Sequence, residues 1–262
     1  MTRMCQKILR RTGAWAMALT IFVSASAVEA GNTITLFAAA SLAPILENST
    51  TPFSDDTGIT VRISAAASSV LARQVASGAP ADIVVLANPD WMQWLQDRGL
   101  INRPSRRDLI SNRLALLRHT ETELPAGLVP ALESALKTGR LAMADPDHVP
   151  AGIYGKAALT SLGLWQQAAP ALARSPNAPA AVALLSRGEV SAAISYSTDA
   201  HLSNKIVVHE LFPQKLHPSI RYQIAAVSSS KNPNASQLIK FLLHPDRIPV
   251  FKAAGFAAPI AP

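Results

Sequence analysis

TITLFAAASLAPILENSTTPFSDDTGITVRISAAASSVLARQVA, residues 33–76, reads as strand, helix, strand, helix. The run TITLFAA (33–39) is apolar and short, which suits a buried strand. Pro44 then fits the first turn of a helix over residues 44–53. Residues 60–65 form a second strand, and residues 70–76 a second helix ended by Gly78. Downstream, IVVLA (83–87) suits a strand buried on both faces. Asn88 caps the next helix, with Pro89 at its first position, Trp91, Trp94 and Leu95 on one face and Gly99 closing it. Strand–helix alternation of this kind builds βαβ units and a parallel sheet, an α/β fold.

A second set follows, with strands near residues 114–117, 141–144 and 192–196 and helices near 153–162 and 180–187. A strand over 222–228 and a helix over 235–243 close the chain. Two α/β sets and a closing pair imply two lobes, the C-terminal piece rejoining the first. The chain crosses within residues 102–113 and returns within 211–221. The first lobe is thus expected over residues 31–112 and 222–262, the second over 113–221.

The 262 residues are 49% hydrophobic and 16% charged, which excludes a disordered chain or a collagen-like repeat. The net charge of +7 suggests nucleic acid, but the N-terminus inflates it. Arg3, Lys7, Arg10 and Arg11 precede an apolar stretch over residues 14–23 and a small-residue segment ending at Ala30, the pattern of a cleaved secretory signal peptide. Loss of residues 1–30 removes four bases and Glu29, so the charge falls to +4 over 232 residues and the nucleic-acid reading falls with it. The single cysteine, Cys5, leaves with the leader, so neither a disulfide nor a cysteine zinc site is expected. The mature chain is read as exported and unanchored.

Ligands of open α/β sheets bind beyond the carboxyl ends of strands. Four turns there share a character: AAASL (38–42), AAASS (65–69), DPDHVPAG (145–152) and NAP (177–179). Small side chains let a ligand reach the backbone, and the first N–H groups of a helix have no partners within it. With the helix dipole they attract an anion. The competing reading is that Ser41 and Ser68 simply cap their helices. A neutral, donor-only site suits a fully deprotonated anion. Enzyme motifs are weaker: no G-x-S-x-G, Walker loop or H-E-x-x-H occurs. The six histidines show no i,i+4 pairing, so no metal site is expected. Asp145 and Asp147 read as turn and cap residues. A secreted serine hydrolase using Ser41 or Ser68 is the rival of a different class.

FAAASL (37–42), SSVLARQVASGAPADIVVLA (68–87), NRLALL (112–117), ADPDHVPAGIYGKAAL (144–159), ISYSTDA (194–200) and VFKAAGF (250–256) resemble the periplasmic molybdate-binding proteins of ABC transporters. That resemblance implies the two-lobed type II periplasmic-binding-protein fold with its ligand cleft between the lobes, no enzymatic activity and no cofactor. It implies a monomer that captures molybdate, and tungstate too, in the periplasm and delivers it to an inner-membrane permease with a cytoplasmic ATPase. Another tetrahedral oxyanion such as sulfate is the alternative ligand. By motif, the family's two serines fall on Ser41 and Ser68, its amides on Ala151 and Ala178, and its tyrosine on Tyr196. Ser69 is the alternative to Ser68, and the register at Ala178 is open by one residue because Pro179 departs from the family pattern. About seven donors at ~1.5–3 kcal/mol each, less desolvation and closure, leave room for micromolar to nanomolar binding.

Overall fold

In the computed structural model, which describes residues 32–259, the first strand is β1 (Thr33–Ala39), buried on both faces from Leu36 to Ala39. The leader expected at residues 1–30 lies outside the described residues. A 3₁₀ turn over Ala40–Leu42 leads into α1 (Ala43–Thr57). This helix passes the expected stop at residue 53, because Leu46 and Phe53 both bury into the core and Gly58, at φ +71°, supplies the left-handed cap. Next come β2 (Thr60–Ala66), α2 (Ser68–Ala76), β3 (Ile83–Leu86) and α3 (Pro89–Asp97). Asn88 caps α3 as expected, accepting from Trp91 N at 3.3 Å.

The chain then adds β4 (Arg107–Ser111), a strand inside the stretch read from sequence only as a crossing, and β5 (Leu114–His119). After α4 (Leu128–Thr138) come β6 (Leu141–Ala144), α5 (Pro150–Ser161), the short α6 (Trp165–Ala168), β7 (Leu172–Ser175) and α7 (Ala178–Ser186). The rest is β8 (Ala192–Tyr196), β9 (Ile206–Leu211), β10 (Arg221–Ala226), α8 (Ala235–Leu242) and α9 (Ile248–Ala253).

The strands form two five-stranded sheets, ordered β2-β1-β3-β10-β4 and β7-β6-β8-β5-β9. Neither is wholly parallel, which corrects the sequence expectation. β10 lies antiparallel between β3 and β4, and β5 antiparallel between β8 and β9. The chain passes from the first sheet to the second through Asn112 and Arg113, and returns over residues 212–220.

Register fixes where the turns go. β1 and β2 pair in parallel with Ala39 opposite Ala66, so Ser41 and Ser68 each stand two residues past the end of their strand, side by side. β6 and β7 pair with Ala144 opposite Ser175, and Met143 faces Ile194 of β8. The DPDHVPAG turn, the NAP turn and Tyr196 therefore gather at one end of the second sheet. Strands β3, β6 and β8 are buried along their whole length. Among the described residues no helix is long and apolar enough to cross a membrane.

Candidate functional site

One small cavity collects the strand-end turns of both sheets. The first sheet contributes Ala39, Ala40, Ser41, Ala67, Ser68 and Ala87 to its wall. The second contributes Val149, Pro150, Ala151, Asn177, Ala178 and Tyr196. All five residues expected from sequence, Ser41, Ser68, Ala151, Ala178 and Tyr196, thus meet around one space. Ser69 is buried but does not line it. The centre of a water-sized group can occupy only about 10 Å³ there, so the space admits a compact ligand and excludes a sugar or peptide.

The wall carries no charged side chain. What it offers is donors. Helices α2, α5 and α7 open onto the cavity, and the first N–H groups of each lack an intrahelical acceptor. Three helix dipoles therefore converge with their positive ends on one point. Asn177 caps α7 by accepting from Ala180 N at 2.9 Å, which leaves the N–H of Ala178, two residues earlier, at the cavity wall. Ala151 reaches the cavity because α5 starts hard against the end of β6. A Cβ on Gly152 would sit 2.2 Å from Ala144 O and 2.3 Å from Asp145 O, so only glycine allows that approach. Asp145 closes the turn before α5, its Oδ1 accepting from Asp147 N at 3.0 Å and His148 N at 3.1 Å. Asp147 pairs with Lys156 and Arg174 on the surface. The sequence reading of these two as turn residues stands for Asp145, whereas Asp147 serves in ion pairs.

The two serines are not helix caps, which corrects that reading. Ser68 is the first residue of α2, whose capping position is Ala67 and has no side-chain cap bond. Its Oγ accepts instead from Ala87 N at 2.9 Å. With a lone pair so occupied by an N–H that can only donate, the Ser68 proton is left for the cavity. Ser41 Oγ lies 3.0 Å from Tyr222 Oη.

Tyr196 is 1% exposed, and its hydroxyl has no hydrogen-bond partner of normal geometry among the described residues. Burial, with Tyr222, Tyr154 and Asp199 around it, holds its phenol well above the usual range, so it stays protonated and donates. A buried phenol without a partner costs free energy unless something supplies an acceptor. Burial likewise raises the Asp199 carboxyl to about 7, opposed by bonds from Ser195 Oγ at 2.5 Å and Tyr196 N at 3.1 Å.

Sequence reasoning missed two participants. Tyr222 and Asn112 stand behind Ser41, and Asn112 Nδ2 reaches Tyr222 Oη at 3.4 Å. They are 181 and 71 residues from Ser41, so no local pattern connects them; NRLALL (112–117) marked the region without giving Asn112 a role. No histidine lines the cavity, so neither serine has a base to activate it as a nucleophile.

Residues 34–257 match the family model described as bacterial extracellular solute-binding protein. The chain is 36% identical over 242 residues to a molybdate-binding protein of Escherichia coli (strain K12), a match covering 91% of this chain and 94% of that one. It is 34% identical over 228 residues to the molybdate-binding protein of Haemophilus influenzae, covering 86% of this chain and 90% of that one. Its fold is similar to that of the periplasmic molybdate-binding protein of Azotobacter vinelandii, with a TM-score of 0.78 and 21% identity over 87% of this chain and all of the other.

Proposed function

Since the chain belongs to the bacterial extracellular solute-binding proteins, we propose that it is the receptor of a molybdate ABC transporter. It is a binding protein and not an enzyme. The single observation that carries the ligand class is the donor-only cavity with a buried, unpaired Tyr196 hydroxyl. Such a site has nothing to accept a proton from a ligand, so it suits a compact, fully deprotonated oxyanion. Molybdate is a tetrahedral dianion of that kind. Tungstate has the same charge and shape and binds comparably.

In this reading Ser41 and Ser68 donate hydroxyl and main-chain hydrogens from one side. The N–H groups of Ala151 and Ala178 and the Tyr196 phenol donate from the other. Because the donors come from both sheets, the site is complete only when the two halves of the molecule, residues 31–112 with 222–262 and residues 113–221, close on the anion. Fixed dipoles without a formal charge then discriminate by cavity size and oxygen count. The loaded receptor, a monomer freed of its leader in the periplasm, hands the anion to an inner-membrane permease driven by a cytoplasmic ATPase.

Calorimetric titration of the mature protein with molybdate, with sulfate and phosphate as controls, tests this. One-to-one binding of molybdate with silent controls is expected. Heat from sulfate and none from molybdate would replace the ligand while keeping the site. Silence with every oxyanion would refute the site.

A further inference from the structure

Behind Ser41 lies a chain of polar groups that no direct ligand contact requires. Asn112, in the two-residue passage between the sheets, is buried. Its Oδ1 accepts from Arg113 N at 2.8 Å, and a backbone N–H can only donate, which fixes the orientation of the amide. Both hydrogens of Nδ2 are then committed, one to Thr198 Oγ1 at 2.9 Å and one to Tyr222 Oη at 3.4 Å. Tyr222 is fully buried, and burial first, then Asp199, pushes its phenol above the ordinary range, so it keeps its single proton. Its hydroxyl lies 3.0 Å from Ser41 Oγ, a pair in which either oxygen can donate; with Asn112 already supplying a hydrogen to the phenol oxygen, the arrangement favours the phenol proton going to Ser41. Ser41 in turn has its own proton left for the cavity. The β10–β4 register shifts between Tyr222 and Gln223, a bulge of the sort that re-aims a side chain next to a site.

We propose that Asn112 and Tyr222 are positioning residues that set the direction of the Ser41 hydroxyl, forcing it to donate and thereby making the site reject oxyanions that carry a proton. The inference rests on the molybdate reading and deepens it. A serine hydroxyl free to rotate presents either a proton or a lone pair, and so tolerates a protonated anion. With Tyr222 donating to one of its two lone pairs, the Ser41 hydroxyl is turned to offer its proton to the cavity, and the P–O–H of hydrogen phosphate gains no acceptor from it.

The test is a two-residue cycle on the full mature chain, read by molybdate titration with phosphate as competitor. Tyr222→Phe keeps the ring against Phe256 and Tyr196, whose centroids both lie 5.9 Å away, and removes the donor. Molybdate binding is expected to weaken about 10-fold, the scale of one lost hydrogen bond to a charged group, while phosphate loses less. Asn112→Asp puts an acceptor where the amide donated, so Tyr222 turns its proton away from Ser41 and Ser41 turns its own toward Tyr222. That reversal requires the Tyr222 hydroxyl. Asn112→Asp is therefore expected to cost about 10-fold more in the wild-type background than in Tyr222→Phe, whereas a carboxylate acting only by its charge or on folding costs the same in both. Equal costs, or equal losses of molybdate and phosphate in Tyr222→Phe, overturn the relay. A wild-type chain that binds no molybdate overturns the functional reading itself.

Discussion

Replacing Tyr196 by phenylalanine removes one oxygen and little else, and its effects on stability and on binding have opposite signs. The ring is 1% exposed and packs at 5.9 Å from Tyr222, contacts that phenylalanine keeps without leaving a cavity. The oxygen it loses is buried without a hydrogen-bond partner among the described residues. An unsatisfied buried hydroxyl costs about 1–3 kcal/mol, so the unliganded variant gains up to that much, raising Tm by about 2–4 °C per kcal/mol in a chain of this size. On the proposed reading, with the anion present the same oxygen donates to a charged acceptor, a bond of about 1.5–3 kcal/mol. Its loss raises Kd by roughly 10- to 150-fold. At a molybdate concentration 100 times the wild-type Kd, the wild type gains about 2.7 kcal/mol from mass action, whereas a variant 100-fold weaker gains about 0.4 kcal/mol. For a gain in the unliganded protein below about 2.3 kcal/mol the two melting curves therefore cross: the variant melts higher alone and lower with molybdate. Thermal unfolding with and without molybdate, alongside calorimetry, reads both signs. A variant that melts lower without ligand, or binds as tightly as wild type, refutes the argument that this hydroxyl is held in reserve for the anion.

Ser68→Ala lacks that sign reversal. On the proposed reading it removes a donor to the anion, and it also leaves Ala87 N–H without its acceptor, so urea unfolding should show a loss of about 1–3 kcal/mol together with weaker binding. Gly152→Ala forces a Cβ to within 2.2 Å of Ala144 O, so α5 must shift away from β6; molybdate titration should show binding lost along with stability. Trp91 Nε1 donates to His148 O at 2.9 Å, joining α3 to the turn before α5. In stopped-flow fluorescence Trp91→Phe should release molybdate several-fold faster, with little change in association. Asp199 has a folded pKa of about 7 against 3.8 in an unfolded chain, so the folded state holds the proton more tightly between those values. Its contribution to stability is then complete below about pH 4 and is lost as pH rises through 7, falling by at most about 1.4 kcal/mol per pH unit. Denaturant midpoints from pH 4 to 8 should show this slope for wild type and a flatter one for Asp199→Asn.

The parts of the site that sequence made legible are those whose signal is local. A short apolar strand followed by tiny residues, a hydroxyl and a helix start is visible in AAASL and AAASS, and parallel register then brings Ser41 and Ser68 together. Tyr196 was reached only through the family resemblance that ISYSTDA carries, and stands at the end of β8. What escaped depends on distant pairing. Tyr222 and Asn112 look like an ordinary strand residue and a loop amide until β10 is laid beside β4. The antiparallel direction of β5 and β10 was missed for the same reason, since a fully buried strand has the same pattern whichever way it runs. β7 and β9 were passed over because four- to six-residue strands with polar positions, such as Arg174 and His209, do not stand out from their flanks.

The seat of β10 between β3 and β4 also governs how the molecule can be made. A ribosome or a translocation pore delivers residues 83–111 well before residues 221–226, and until the latter arrive the inner edges of β3 and β4 have no strand to pair with. The first sheet therefore cannot close on the N-terminal half alone. Its completion requires a loop of more than 100 residues to be drawn shut, a slow step set by chain topology. A chain that folds only when nearly all of it has emerged stays threadable throughout its passage, and one cut short before residue 221 presents two open strand edges to whatever protease or aggregate meets it first.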